Sequence, residues 1–242
     1  MLAISAMLLA MYPSVQDSAA DMDQFIAQFP DALRAMFRMT DYSSGPGYLS
    51  TEMFSAMAPL MFIAIATAWG SSATAGEEDK GTADLLFSLP ISRTSVVLSK
   101  AAAMLAVLAV VGAVLFAGIY AGTAFVSIEL QLSNLLAVCV ATAMLGAVFG
   151  AVALFLGALF GRRSLALGIS VALAIASYLL FSLAPLVGWL GNLLPYNPFE
   201  WATGSQPLFN GWDGPGIAWL ALTVMGLLGG AVVAIRRRDF GS

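Results

Sequence analysis

Charged residues fall in clusters along this chain and leave long apolar stretches between them. Segments 53–76, 101–128, 130–161, 164–199 and 214–235 contain no Asp, Glu, Lys or Arg. A helix of about 20 apolar residues crosses a hydrocarbon core about 30 Å thick, so each stretch has room for one span. The fourth is broken towards its end by Pro195 and Pro198. That end reads as an outer loop or short re-entrant piece, irregular backbone tolerated at membrane depth only where protein or water satisfies it. Met1 to Val15 is also apolar, though slightly short for a span. No Lys or Arg precedes its apolar run and no clear A-x-A site follows, which argues against a cleaved signal peptide. It reads as a first span whose cytoplasmic beginning is missing or trimmed.

The pattern predicts an all-α integral membrane protein, with a single transmembrane domain over 1–242. About six spans are expected, near 1–15, 54–75, 101–126, 132–160, 165–190 and 215–235. Outer loop 16–52 joins the first two. Within it Phe25, Phe29, Leu33, Met36 and Phe37 recur every three or four residues, with Asp21, Asp23, Asp31, Arg34 and Arg38 between them. That spacing predicts an amphipathic helix in the outer interface, bent or split by Pro30. A second outer stretch, Asn192 to Gly216, carries Tyr196, Phe199, Trp201 and Trp212, which read as an interfacial aromatic belt.

Composition agrees with lipid as the solvent. Of the 242 residues 60% are hydrophobic and 10% charged, with mean hydropathy +0.89; a soluble domain carries about 25% charged residues. The signs of the charges then give an orientation. Lys80, Arg93, Lys100, Arg162, Arg163, Arg236, Arg237 and Arg238 occupy one set of loops, and the alternate loops are acidic apart from Arg34 and Arg38. Short cytoplasmic loops are the basic ones, so both termini are expected to be cytoplasmic, in a multi-pass protein of the plasma membrane.

The chain has no histidine and a single cysteine, Cys139. The usual general base is thus absent, and neither a disulfide framework nor a cysteine metal site can form. No G-x-x-x-x-G-K-[ST] and no G-x-S-x-G occurs. The apolar stretches hold no Asp, Glu, Lys or Arg at mid-depth, whereas ion-driven transporters carry such groups. The spacings Gly118/Gly122, Gly146/Gly150, Gly157/Gly161 and Gly226/Gly230 suit tight helix packing. An intramembrane enzyme is disfavoured by the same absences.

Loop 76–100 carries the most information. It opens with five charges in nine residues, continues through Leu85, Leu86, Phe87 and Leu89 to Pro90, and reaches Ser92, a candidate cap for the third span. A short helix with exposed leucines needs something to pack on, and its acidic start disfavours anionic lipid. A partner protein fits better. The run Gly76-Glu77-Glu78-Asp79-Lys80-Gly81-Thr82, then Asp84-Leu85-Leu86 and Leu89-Pro90-Ile91-Ser92-Arg93, ending in Lys100, resembles the signature of type-2 ABC exporter permeases. The tail Arg236-Arg237-Arg238-Asp239-Phe240-Gly241 is similar to that family's basic ending. Family members begin with a basic amphipathic helix and a full first span; here neither is complete.

The resemblance implies a membrane subunit that pairs with a second permease, identical or related, in the lipid bilayer. Separate ABC ATPase subunits would hold the ATP and magnesium, and this chain itself would need no cofactor, catalytic residue, metal site or nucleic acid. It implies that Glu77, Glu78, Asp79, Lys80, Gly81, Thr82, Asp84, Leu85, Leu86 and Arg93 form the coupling helix region that seats in the ATPase. Negative charge at a helix start is favourable in any case, so the acidic run has a purely local explanation too. The function expected is outward movement of an apolar or amphipathic substrate. The alternative is a non-transporting scaffold that recruits a cytosolic partner through the same loop.

Overall fold

The computed structural model describes residues 2–36, 41–73, 92–126 and 128–237. Its long elements are all helices. They are α1 (Leu2–Asp17), α2 (Ala19–Ala27), α3 (Asp31–Met36), α4 (Gly45–Ala73), α5 (Arg93–Thr123), α6 (Leu132–Phe160), α7 (Arg163–Leu183) and α8 (Gly214–Arg237). Five of them, α4 to α8, are long and apolar enough to cross a membrane. The first expected span is the exception. α1 has 16 residues, about 24 Å of helix at 1.5 Å per residue, against a core of about 30 Å.

Local chemistry moves three expected boundaries. The second span starts early, at Gly45, because Ser44 Oγ accepts the Gly47 N–H at 3.1 Å and Pro46 sits in the first turn. The third begins at Arg93, where Ser92 Oγ accepts the Ser95 N–H at 3.1 Å, the cap expected from the sequence. The fifth stops at Leu183 instead of running on to 190, since Pro185 cannot continue the ladder. In the outer loop, Pro30 separates α2 from α3 as expected, and Phe25 and Phe29 meet edge to face at 5.1 Å.

α6 is the axis of the molecule. Most of its length is buried, and α4, α5, α7 and α8 all pack on it. The tightest seam is with α4. A Cβ added to Gly70 would collide with the Gly150 carbonyl oxygen, and one added to Gly150 would lie 2.6 Å from Met104 Sδ and 2.8 Å from Ala66 Cβ. Between helices in hydrocarbon no hydrophobic force operates, so attraction depends on this close van der Waals approach. Two glycines of the other spacings do different work. Gly161 takes φ 65° and closes the end of α6, whereas Gly226 meets nothing within 4 Å. Hydroxyls buried in the bundle bond back to their own helix: Thr67 Oγ1 to the Ile63 carbonyl at 2.8 Å, Thr142 Oγ1 to Val138 and Ser170 Oγ to Ala166, both at 2.7 Å. No bulk water is needed to satisfy them.

The alternation of charge along the chain becomes a separation in space. Arg162, Arg163, Arg236 and Arg237 lie at one end of the bundle, while Glu52, Glu129, Glu200 and Asp213 lie at the other.

Candidate functional site

At the basic end, α4 finishes at Ala73 and α5 begins after Ser92, so the two helices present the ends of segment 74–91. Both ends are seated on the rest of the bundle. Ala73 of α4 and Val97 and Ala101 of α5 share a buried apolar cluster with Leu154 and Ala158 of α6 and Ala231 and Ile235 of α8. Arg236 Nε donates to Thr94 Oγ1 at 2.9 Å, tying the end of α8 to the first turn of α5. A displacement applied to segment 74–91 therefore acts on α4 and α5 directly, and on α6 and α8 through packed side chains. Close-packed interiors transmit strain because they compress little.

Of the coupling residues expected from the sequence, Glu77, Glu78, Asp79, Lys80, Gly81, Thr82, Asp84, Leu85 and Leu86 lie outside the described residues. Arg93 is the first residue of α5. The seat itself was not visible in the sequence. Leu154 and Ile235 sit within apolar stretches whose every turn is apolar, so no periodicity marks the face that turns inward, and Val97 lies in the short run 94–99 ahead of the third stretch.

The acidic end is closed by side chains bonded to backbone. A turn of π-helix, Ser50–Phe54, interrupts α4, and a second, Glu200–Gly204, lies in the segment between α7 and α8. Such turns are rare and cluster at functional sites. Asn134 Nδ2 of α6 donates to the carbonyls of Leu208 and Phe209 at 3.2 and 3.0 Å. Asn197, 4% exposed, accepts at Oδ1 from Ser177 Oγ at 2.7 Å and from the Phe199 N–H at 2.9 Å, and donates through Nδ2 to the Ser177 carbonyl at 2.8 Å. Phe199 is fully buried, with ring centroids 6.2, 5.5 and 5.9 Å from those of Phe149, Tyr178 and Phe181. It is therefore a core anchor and not part of an aromatic belt. Tyr196 and Trp212 are exposed and fit the belt expected of them.

Tyr42 OH donates to Glu52 Oε1 at 2.8 Å, linking the outer loop to the first π turn. Burial, and then the bond to Glu52 and its charge, push the Tyr42 phenol well above its ordinary value of 10. A raised folded value means that this contribution to stability is intact below pH 10. It is lost as pH rises further, because the unfolded phenol ionises first. The melting temperature of the wild type should thus fall more steeply above pH 10 than that of Tyr42→Phe. Parallel curves would show that Tyr42 carries none of the alkaline sensitivity.

On the outer face of the bundle, an apolar groove of about 240 Å³ lies between α5 and α6, lined by Ala109, Gly112, Ala113, Phe116, Cys139 and Ala143 among others. Its wall offers no charge, so it suits an apolar guest and not an ion.

A family model described as ABC-2 family transporter protein matches residues 1–209. No curated protein matches the chain.

Proposed function

Because the chain belongs to the ABC-2 transporter family, the permease components of ABC transporters, we propose that it is the membrane subunit of an ATP-driven exporter of an apolar or amphipathic substrate. Permeases of this family are multi-pass membrane proteins that work in general with an ABC ATPase. In the reading proposed here, ATP and magnesium are held by separate ATPase subunits below the basic end, which is the cytoplasmic end and the side to which both termini are directed. A second permease, identical or related, completes the path through the plasma membrane. Closure of the ATPases pulls on segment 74–91 through Glu77, Glu78, Asp79, Lys80, Gly81, Thr82, Asp84, Leu85 and Leu86, and on the start of α5 through Arg93. The bundle then tilts and releases substrate on the acidic side.

The observation that supports this most directly is the seat of the loop ends. Ala73 and Val97 are buried in one cluster with α6 and α8, so a pull on the loop has a firm connection to four spans. The charge-free α5–α6 groove supports the substrate class.

The test is co-purification with a nucleotide-binding subunit, followed by ATPase and vesicle-transport assays, with and without Leu85→Asp together with Leu86→Asp. Burying an unpaired carboxylate in place of an apolar contact costs several kcal/mol. The double variant is expected to lose complex formation and ATPase stimulation by about tenfold or more. Full complex formation and stimulation in the variant would sink the coupling assignment. Binding without any ATP-dependent transport in the wild type would leave a scaffold in place of an exporter.

A further inference from the structure

A second site lies at the acidic end, remote from segment 74–91. Between the second π turn and the start of α8 is an open cavity of about 340 Å³, whose walls include Glu200, Trp201, Ser205, Asp213 and Trp219. No Lys or Arg is among its lining residues. The two indoles stack with centroids 6.1 Å apart at 27°, and Trp201 Nε1 donates to the Pro195 carbonyl at 2.7 Å, which fixes its ring. Asp213 Oδ1 accepts the Gly216 N–H at 3.0 Å and is thereby held at the rim. Glu200 lies beside Gly204, where an added Cβ would collide with the Glu200 carboxylate, so the glycine leaves that group its place.

From this combination we propose that the cavity binds a small organic ammonium ion, with Asp213 and Glu200 supplying opposite charge and Trp219 and Trp201 an aromatic wall. A cation set against Trp gains about 0.5–1 kcal/mol at exposed sites and about 2 or more when desolvated. The aromatic walls select against a bare metal ion, for which indole is no ligand, and the absence of wall cations selects against anions. The same ammonium chemistry is offered by a free amine and by the headgroup of a lipid in the facing leaflet. The assignment goes beyond the coupling reading and does not depend on which way substrate moves.

The experiment follows tryptophan fluorescence of the purified full chain in phosphatidylglycerol nanodiscs during titration with tetramethylammonium chloride, against sodium chloride at equal ionic strength. A saturable change above the sodium baseline is expected. It should need about fivefold or more higher concentration in Asp213→Asn, in which asparagine keeps the helix cap and removes the charge, and also in Trp219→Leu. Unchanged melting temperatures show that both variants are folded. A response equal to that of sodium, or a curve unaltered in Asp213→Asn, overturns the site. Repeating the titration in phosphatidylethanolamine nanodiscs assigns the source. A curve moved to higher concentration means that the lipid headgroup competes for the site, and a coincident curve means that the site takes the free amine.

Discussion

Gly70→Val is expected to lower the melting temperature of the purified protein by about 6–12 °C. A Cβ at Gly70 meets the backbone oxygen of Gly150 and then Ala153 Cβ at 3.2 Å. A flexible side chain could yield to such an intrusion, but a helical carbonyl cannot, so α4 and α6 must move apart. Overpacking costs about 1–3 kcal/mol, and a backbone collision belongs at the upper end. For a chain of this length each kcal/mol moves the melting temperature by about 2–4 °C. Separation would also open gaps along a seam that includes Phe62, Ala66 and Gly146. The matched control is Gly168→Val in α7, where an added Cβ meets nothing within 4 Å; surface-like positions of this kind shift stability by about 0.5 kcal/mol or less. Equal melting temperatures for the two variants would mean that the α4–α6 contact is not the structural spine. Because α4 also carries one end of segment 74–91, Gly70→Val should reduce ATPase stimulation even in the fraction that stays folded.

Asn197→Ala is expected to release the segment between α7 and α8. One side chain there satisfies the Phe199 N–H, the Ser177 hydroxyl and the Ser177 carbonyl. Truncation strands the Phe199 N–H, which is buried, and takes from the Ser177 carbonyl its second donor, leaving it the bond within α7. Each orphaned buried group costs about 1–3 kcal/mol. The loss reaches beyond the asparagine, since Phe199 is the ring on which Phe149, Tyr178 and Phe181 converge. Limited proteolysis should cut variant protein within 188–213 at least about tenfold faster than wild type, with the bundle otherwise intact. Asn197→Asp keeps the acceptor and loses the donor, so its cutting rate should fall between the two. If all three rates agree, the segment is held by its neighbours and not by Asn197.

The charge-free stretches, the break at Pro30, the Ser92 cap and the end-to-end alternation of charge could all be read from residue order. Each depends on local chemistry or on the cost of placing charge in hydrocarbon, which is paid residue by residue. The same reading yielded the family resemblance, and a family model matching residues 1–209 agrees with it. Other features were out of its reach. Phe199 looks like Tyr196 in sequence, and only the fold buries the first and exposes the second. Four G-x-x-x-G spacings look equivalent, yet Gly146 and Gly150 lie in the seam with α4 whereas Gly226 meets nothing within 4 Å. In lipid both faces of a span are apolar, so hydrophobic periodicity cannot say which face turns inward. That choice falls to steric fit between backbones far apart in the chain, and so does the cluster that seats Ala73 and Val97 beside Ile235.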